Sequence, residues 1–192
     1  TDELIEVIAQ EKKICSYIDI PLQHISDHIL LKQNRNITTK ATYELIRKFR
    51  KQIPDVFLRT TYIVGMPGET DQDFNELRAF NKEMRFERLG VFVYSKEEGT
   101  LAATMSDHVP EKIKKERLDI LMKDQQEISK EIQQSFVGRT LDVLIEEKEK
   151  DSKETFIGRS EYDAPDVDGL VYVRSQKGLK AGDFVQVKIT DA

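Results

Sequence analysis

Short apolar runs alternate with helical patterns through the first two thirds of the chain. Residues 17–22, 56–64 and 89–94 are rich in β-branched, aliphatic and aromatic side chains, which predicts three buried strands. Apolar residues also recur at helical spacing before, between and after these strands. The predicted helices cover residues 4–8, 25–33, 38–49, 70–80 and 110–135. This alternation predicts parallel strands joined by right-handed crossovers.

The second of these strands breaks into a glycine-rich turn. Gly65 and Gly68 allow the backbone to turn sharply and a ligand to approach closely. Thr70 is predicted to cap the next helix, with Asp73 three residues further on in a capping-box position. Because chemistry in parallel α/β folds lies at the carboxyl ends of the strands, a ligand site is predicted around residues 65–69.

After Phe136 the pattern changes to short strands separated by turns. The predicted strands cover residues 141–145, 155–159, 170–174 and 184–189. Four short strands in so short a segment are typical of a small antiparallel β-barrel of the OB-like kind. The chain is therefore predicted to be α/β, with one domain at residues 1–135 and a second at 136–192.

Composition narrows the classes of function. The chain has 192 residues and a mean hydropathy of −0.53, and no apolar run approaches the ~18 residues of a membrane span. Its opening residues are polar and acidic, so no secretory signal is expected. The single cysteine, Cys15, excludes an internal disulfide framework, predicts a cytoplasmic protein and is interpreted as a packing residue. His28 and His108 lack metal-ligand spacing, so no metal site is predicted.

Polar residues at the strand ends are the candidates for ligand binding. Gln23 and His24 follow the first strand, where they can hydrogen-bond a polar ligand. The alternative is that Asp19 and His24 only satisfy backbone groups of the loop. Arg59 lies within an apolar strand and needs a partner, which is either a structural carboxylate or a ligand.

Other charged residues have simpler structural interpretations. Glu69 is placed to compensate the N-terminal dipole of the next helix. Arg35 follows a short helix, where it can be a solvated surface charge. A basic cluster near the start of the long helix is interpreted as a solvated helix face, and it consists of Lys112, Lys114, Lys115 and Arg117.

The chain resembles the radical S-adenosylmethionine (SAM) methylthiotransferases over nearly its whole length. The motifs that carry the resemblance are YIDIPLQHIS at 17–26, Arg35 with Thr38, RTTYIVGMPGET at 59–70, GVFVYSKEEGT at 90–100 and VP at 109–110. The tail, from residue 136 onward, is similar to the family's C-terminal TRAM domain. Two positions depart from the family pattern without changing size much: Met66 stands where phenylalanine is usual, and Gln33 where methionine is common.

The resemblance implies an incomplete (β/α) barrel of the TIM-like kind, followed by a TRAM domain. The family's cysteine triplet and its three further cysteines are absent, and one cysteine cannot hold an iron–sulfur cluster. The chain is therefore expected to be the C-terminal piece of a longer enzyme that uses SAM and two [4Fe–4S] clusters, with the cluster ligands outside this chain. As a piece, it is expected to be inactive alone.

The resemblance also implies which residues bind ligands, because the strand ends would form one wall of the SAM cleft. The implied cofactor-binding residues are Gln23, Arg59, Ile63, Val64, Gly65, Phe92 and Tyr94. The implied substrate-binding residues are Arg35 and Glu69. No catalytic residue is implied within this chain.

Two motifs, YSKEEGT at 94–100 and EYDAPDVDG at 161–169, look like the branch that modifies an aspartate of a small-subunit ribosomal protein. The sister branch modifies transfer RNA adenosines. The whole chain has a net charge of −5, and residues 137–192 hold nine basic and twelve acidic residues, a net charge of −3. An acidic tail favours a basic ribosomal protein over RNA as the partner of a monomer. Three classes stay open: an enzyme acting on that protein, one acting on transfer RNA, and a cluster-free module that only binds a partner.

Overall fold

Three parallel strands form the first sheet, in the order β1 (Tyr17–Asp19), β2 (Phe57–Val64) and β3 (Arg88–Val93). The structure is a computed structural model that describes residues 1–192. Both pairings are parallel, as the alternation of strands and helices predicted. Because β1 and β3 are open edges of this sheet, the barrel is incomplete, and the predicted α/β fold class is confirmed.

β1 is shorter than the predicted run because a proline interrupts it. Pro21 has no N–H to donate to β2, and the regular pairing ends at Asp19. Pairing resumes as an isolated parallel bridge between Gln23 and Tyr62. The Gln23 N–H donates to the carbonyl oxygen of Thr61 at 2.8 Å, so the loop after β1 stays attached to the central strand.

Five α-helices accompany the strands, and their capping follows the sequence. They are α1 (Asp2–Gln10), α2 (Asp27–Lys32), α3 (Thr39–Gln52), α4 (Asp71–Met84) and α5 (Glu111–Gln134), with a short 3₁₀ helix at Ala102–Thr104. The Thr38 side chain caps α3 by accepting the N–H of Ala41 at 3.2 Å. The capping box predicted for α4 is confirmed, because Thr70 and Asp73 each accept the other's backbone N–H.

The two faces of β2 differ in burial, which puts the main core on one side of the sheet. Tyr62 and Val64 are fully buried among apolar side chains of α3 and α4. Arg59, Thr61 and Ile63 are only half-buried and point the opposite way, since side chains alternate along a strand. Burying each large apolar side chain contributes about 1.5–3 kcal/mol. This packing therefore holds the register of β2 and leaves its other face available.

The tail forms a curled sheet of four antiparallel strands in the order β6–β5–β4–β7. The strands are β4 (Thr140–Lys148), β5 (Thr155–Ser160), β6 (Val171–Arg174) and β7 (Phe184–Lys188). Val143, Ile145, Phe156 and Val173 form its own small apolar core. β6 and β7 are unpaired edges, so the predicted small antiparallel barrel is an open half-barrel.

Three aromatic rings join the two sheets where the parallel strands begin, at a place we call the seam (Phe57, Phe136 and Tyr162). Phe57 stacks on Tyr162 with 4.5 Å between ring centroids, and Phe136 meets Phe57 edge-on at 5.6 Å. Beside them, Arg88 of β3 pairs with Asp163 at 2.8 Å. The division of the chain at residues 135 and 136 stays a prediction, and Phe136 packs against both parts.

Candidate functional site

One face of the parallel sheet lies opposite the main core and is less buried, and we call it the open face. Side chains in register on neighbouring strands point to the same side of a sheet, so the pairings define its members. They are Arg59, Thr61 and Ile63 of β2, paired respectively with Arg88, Gly90 and Phe92 of β3. The face carries cationic, hydroxyl and apolar groups side by side.

Arg59 has a protein partner, and the question left open by the sequence is partly answered. Its Nη1 donates to the Asp19 carboxylate at 3.2 Å, across the β1–β2 pairing. The Arg59 side chain is about a quarter exposed, and its other N–H groups make no hydrogen bond to the protein. Arg59 therefore forms a cross-strand ion pair with Asp19 and still has unpaired N–H donors available on the open face.

Gln23 has an unusual backbone conformation at the carboxyl end of β1. Its φ is +70°, in the left-handed region that costs a non-glycine residue on the order of 1 kcal/mol or more. Its backbone pairs with Thr61 and Ile63, two open-face residues. Its half-buried side chain makes no hydrogen bond to the protein, so its amide is available to a ligand.

Phe92 provides an apolar platform on the open face. Its ring belongs to a residue that is 61% exposed, although large apolar side chains are normally buried. It lies next to Gly90, where an added Cβ would come within 3.4 Å of the ring. Ile63 is in register with Phe92, so a flat apolar group has a surface to lie on.

Val64 and Tyr94 are placed differently from Phe92. Val64 is fully buried on the helix side, and its carbonyl oxygen accepts the N–H of Tyr94 at 2.8 Å. Tyr94 is buried with Ile29 and Met66 in a small cluster against which Ile63 packs. The Tyr94 hydroxyl is buried and has no hydrogen-bond partner. Only Tyr94 of this pair therefore offers a side-chain atom near the open face.

Glu69 holds the glycine turn that follows β2. Its carboxylate is fully buried and accepts the N–H of Gly65 at 2.6 Å and of Met66 at 3.3 Å. Burial raises the pKa of the Glu69 carboxyl, and Arg117 and these two N–H groups oppose the rise. Because no carboxylate oxygen is exposed, substrate binding by Glu69 stays a prediction that the contacts do not favour.

One lysine and one arginine of α5 are buried, so the interpretation of the basic cluster as a solvated helix face is wrong for these two residues. Lys114 and Arg117 are 4% and 5% exposed. Arg117 donates to the Glu69 carboxylate at 2.8 Å, and Lys114 donates to the carbonyl oxygen of Tyr94 at 3.0 Å. One sequence pattern could have revealed them: Lys114, Arg117 and the apolar Leu121 are spaced to share one helical face.

His24 and Arg35 satisfy the loops around the strand ends. The Nδ1 of His24 accepts the N–H of Ser26 at 3.1 Å, which is the structural alternative for this residue. Burial lowers the pKa of His24 to about 4, so its ring is neutral at pH 7. Arg35 is exposed and donates to the carbonyl oxygen of Pro21 at 3.1 Å. Its role in substrate binding stays a prediction.

The acidic loop of the tail (residues 161–169) is partly used inside the molecule. Asp163 accepts from Arg88 at 2.8 Å, and Asp168 accepts from the Ala164 N–H at 2.9 Å. Both carboxylates are less than a tenth exposed. The interpretation of this loop as an acidic surface for a basic partner is therefore wrong for these two residues.

Neither metal ligands nor a membrane span occur in the structure. No group of three or more His, Cys, Asp or Glu side chains is arranged to hold a metal ion. Cys15 is unpaired and exposed, so its interpretation as a packing residue is wrong. None of the helices combines the length and the apolar character that a bilayer crossing requires.

Comparison with known proteins identifies the class to which these two sheets correspond. Residues 1–80 match the radical SAM superfamily, and residues 137–192 match the TRAM domain. The resemblance to radical SAM proteins that carry a TRAM domain is thereby confirmed.

The similar proteins have a more specific name. The chain is 52% identical to a protein of Desulfitobacterium hafniense named ribosomal protein uS12 methylthiotransferase RimO. It is 50% and 49% identical to proteins of the same name from Caldanaerobacter subterraneus subsp. tengcongensis and Lachnoclostridium phytofermentans. Each alignment includes the whole of this chain but 43% of the relative, so the chain spans less than half the length of these proteins.

Proposed function

We propose that this chain is part of a radical SAM methylthiotransferase, and that its open face is one wall of the SAM cleft. The observation that carries the proposal is the exposed Phe92 ring beside Ile63, at the carboxyl end of parallel strands. Identity of about half the residues to proteins named RimO, over the whole chain, supports the same class.

The groups along the open face and at its carboxyl end suit the parts of SAM. The adenine would lie on Phe92 and Ile63, because an aromatic ring pairs well with a flat base. The orphaned Tyr94 hydroxyl and the free Gln23 amide would bind polar groups of the ribose or the amino-acid part. Arg59, already paired with Asp19, would direct a remaining N–H toward the SAM carboxylate.

When bound, SAM supplies radical chemistry and the methyl group. The chain's own residues bind the cofactor, fix its orientation and exclude water from the sheet. The Asp19–Arg59 pair holds the guanidinium in one position, so less freedom is lost when a carboxylate arrives. Gly65 allows the backbone to turn close to the cleft, because its φ of +79° lies in the left-handed region that glycine adopts without strain.

The residues of this chain do not fit an iron–sulfur cluster. A [4Fe–4S] centre needs several thiolates, and Cys15 is the one thiol present. In the proposed enzyme both [4Fe–4S] clusters are held by residues outside this chain.

The proposed substrate is an aspartate side chain of ribosomal protein uS12, after the name of the relatives. The tail's net charge of −3 suits a basic protein, although Asp163 and Asp168 do not contribute to that surface. Transfer RNA, the substrate of the sister branch, is an outcome that the experiment below distinguishes.

The proposal is tested with the full-length protein that contains this chain, prepared anaerobically. Incubated with SAM, reductant and uS12, it should add one methylthio group to an aspartate of uS12, detected by peptide mass spectrometry. Modification of transfer RNA without modification of uS12 would move the protein to the sister branch. No modification of either would reject the enzyme class.

The role of the open face is tested separately by SAM binding. Phe92→Ala in the full-length protein should raise the Kd for SAM about tenfold, since stacking on an aromatic ring contributes ~1–3 kcal/mol per base. The matched control is Phe184→Ala, because Phe184 is 75% exposed and lies on β7 of the other sheet. Equal Kd values for SAM in the two variants would show that Phe92 does not contact the cofactor.

A further inference from the structure

We infer that two cations of α5, Lys114 and Arg117, are positioning residues for the SAM cleft. They act through Gly65 and Tyr94, which the proposed function places against the cofactor, so the inference rests on that function. Neither residue is itself proposed to touch SAM.

Arg117 controls the glycine turn through Glu69. Its Nη1 donates both to the Glu69 carboxylate at 2.8 Å and to the Glu69 carbonyl oxygen at 3.2 Å. Its Nη2 donates to Asp71 at 2.7 Å, at the start of α4. The guanidinium thus holds Glu69 at two atoms, and Glu69 holds the N–H groups of Gly65 and Met66.

The planar guanidinium of Arg117 makes its hydrogen bonds to Glu69 and Asp71 directional. A guanidinium binds through N–H groups fixed in one plane, whereas a lysine ammonium is a flexible point charge. Charge-assisted hydrogen bonds of this kind are about twice as strong as neutral ones. Because the Arg117 and Glu69 side chains are almost completely buried, water cannot replace the lost partner.

Lys114 acts on the same turn and on the end of β3. Its Nζ donates to the carbonyl oxygen of Tyr94 at 3.0 Å and lies 5.2 Å from the centre of the Tyr94 ring. Its methylene stem lies against Gly65, where an added Cβ would be 2.2 Å from the Lys114 Cγ. One side chain therefore fixes the spacing between the ends of β2 and β3.

The spacing of the two cations on α5 explains how one helix holds both the glycine turn and the end of β3. Lys114 and Arg117 are three residues apart, so they project from the same helical face. That face continues to Leu121, which is fully buried in the main core. The helix is thereby anchored by its apolar middle and presents two fixed cations to the carboxyl ends of the strands.

The test compares SAM affinity with stability in the full-length enzyme. Arg117→Met should raise the Kd for SAM about tenfold. Without Arg117 we expect the glycine turn to adopt its binding geometry about a tenth of the time, and the apparent Kd rises in inverse proportion to that fraction. Arg117→Lys should recover part of this loss. The matched control is Arg78→Met, which removes a different α4–α5 ion pair, the one with Asp124.

Arg78→Met should lower the melting temperature but leave the Kd for SAM within about twofold of the wild type. Equal Kd increases in the Arg117 and Arg78 variants would reduce Arg117 to a structural residue and overturn the inference. If Arg117→Met does not fold, the inference is tested with Lys114→Met instead. The methionine keeps an apolar side chain over Gly65 but cannot donate the hydrogen bond to the Tyr94 carbonyl oxygen. An unchanged Kd in that variant would also overturn the inference.

Amide hydrogen exchange separates this inference from the proposed function. The Gly65 and Met66 N–H groups should exchange about tenfold faster in Arg117→Met than in Arg78→Met, with or without SAM. If the wild-type protein does not bind SAM, the proposed function fails, and the exchange rates alone decide whether Arg117 positions the turn. Equal exchange rates in the two variants would reject that role.

Discussion

The hydroxyl of Tyr17 donates a 2.6 Å hydrogen bond to the Asp168 carboxylate, which joins the first residue of β1 to the acidic loop of the tail. Burial, and then this bond, raise the pKa of the Tyr17 hydroxyl. The two residues are 151 positions apart in the sequence. The contact means that the TRAM domain is fastened to the barrel at the start of its strands, next to the aromatic seam.

Tyr17→Phe should destabilise the chain by about 1.5–3 kcal/mol, the usual contribution of a hydrogen bond to a charged group. The Asp168 carboxylate would keep its bond from Ala164 but lose its shortest one. Urea unfolding measures the change in the free energy of unfolding. Tyr172→Phe is the control, since Tyr172 is 61% exposed and its hydroxyl makes no hydrogen bond, and an equal loss there would contradict the prediction.

Gly65→Ala should destabilise the chain more than Gly99→Ala. Both glycines have nearly the same φ, +79° and +81°, so both substitutions carry a left-handed strain of ~1–2 kcal/mol. At Gly65 the new Cβ also meets the Lys114 side chain, whereas nothing lies within 4 Å at Gly99. Overpacking should add about 1–3 kcal/mol at Gly65 alone. Thermal melts of the two variants give the difference, and equal melting temperatures would exclude the steric contact.

Stability should fall as the pH drops from about 6.5 to about 4, in part because of His24. Its pKa in the folded chain is lowered by burial to about 4, below the ordinary 6.5, so the unfolded chain binds the proton first. The neutral ring's contribution is complete above pH 6.5 and is lost as the pH falls toward 4. The full loss is on the order of 3 kcal/mol.

The control for this titration is His24→Asn, because the asparagine oxygen can accept the Ser26 N–H in place of Nδ1. Glu69 acts in the opposite direction, since burial raises the pKa of its carboxyl and its contribution is lost as the pH rises above 4.5. The difference between the two proteins isolates the histidine. Parallel curves of unfolding free energy against pH would show that His24 does not titrate as predicted.

The chain alone should bind no iron–sulfur cluster, because one thiolate cannot replace the three or four that such a centre needs. Anaerobic reconstitution with iron and sulfide, followed by iron analysis and visible absorption, measures this. Cys15→Ala should show the same low iron content as the unmodified chain. Stoichiometric iron that disappears in Cys15→Ala would refute the prediction.

Local features of the structure were predictable from the sequence, and contacts between distant segments were not. The Thr70–Asp73 capping box involves residues three apart, so its pattern is visible in the chain. The Arg117–Glu69 pair joins residues 48 apart, and only the folded sheet shows that α5 passes over the glycine turn. A helix rich in lysine and arginine is usually solvated, which is why the burial of Lys114 was missed.

The same limit applies to the candidate site. Arg59, Ile63 and Phe92 could be assigned to strands from their apolar neighbours, and the register then placed them on one face. The burial of Val64 follows from simple alternation along β2, a pattern that the sequence contains. The Asp19–Arg59 pair depended on the register between two strands, which the sequence alone does not determine.

The seam closes one end of the open face, the end at which the parallel strands begin. Aromatic rings and the acidic loop form this closure, and the cavity of about 340 Å³ left between Gly90, α5 and Val167–Gly169 is small. A molecule seated on the sheet is therefore shielded from bulk water at that end, while the unpaired edges at β1 and β3 leave its flanks open. Chemistry that must be kept dry on this sheet needs further protein surface over those flanks, which an arriving partner would supply in part.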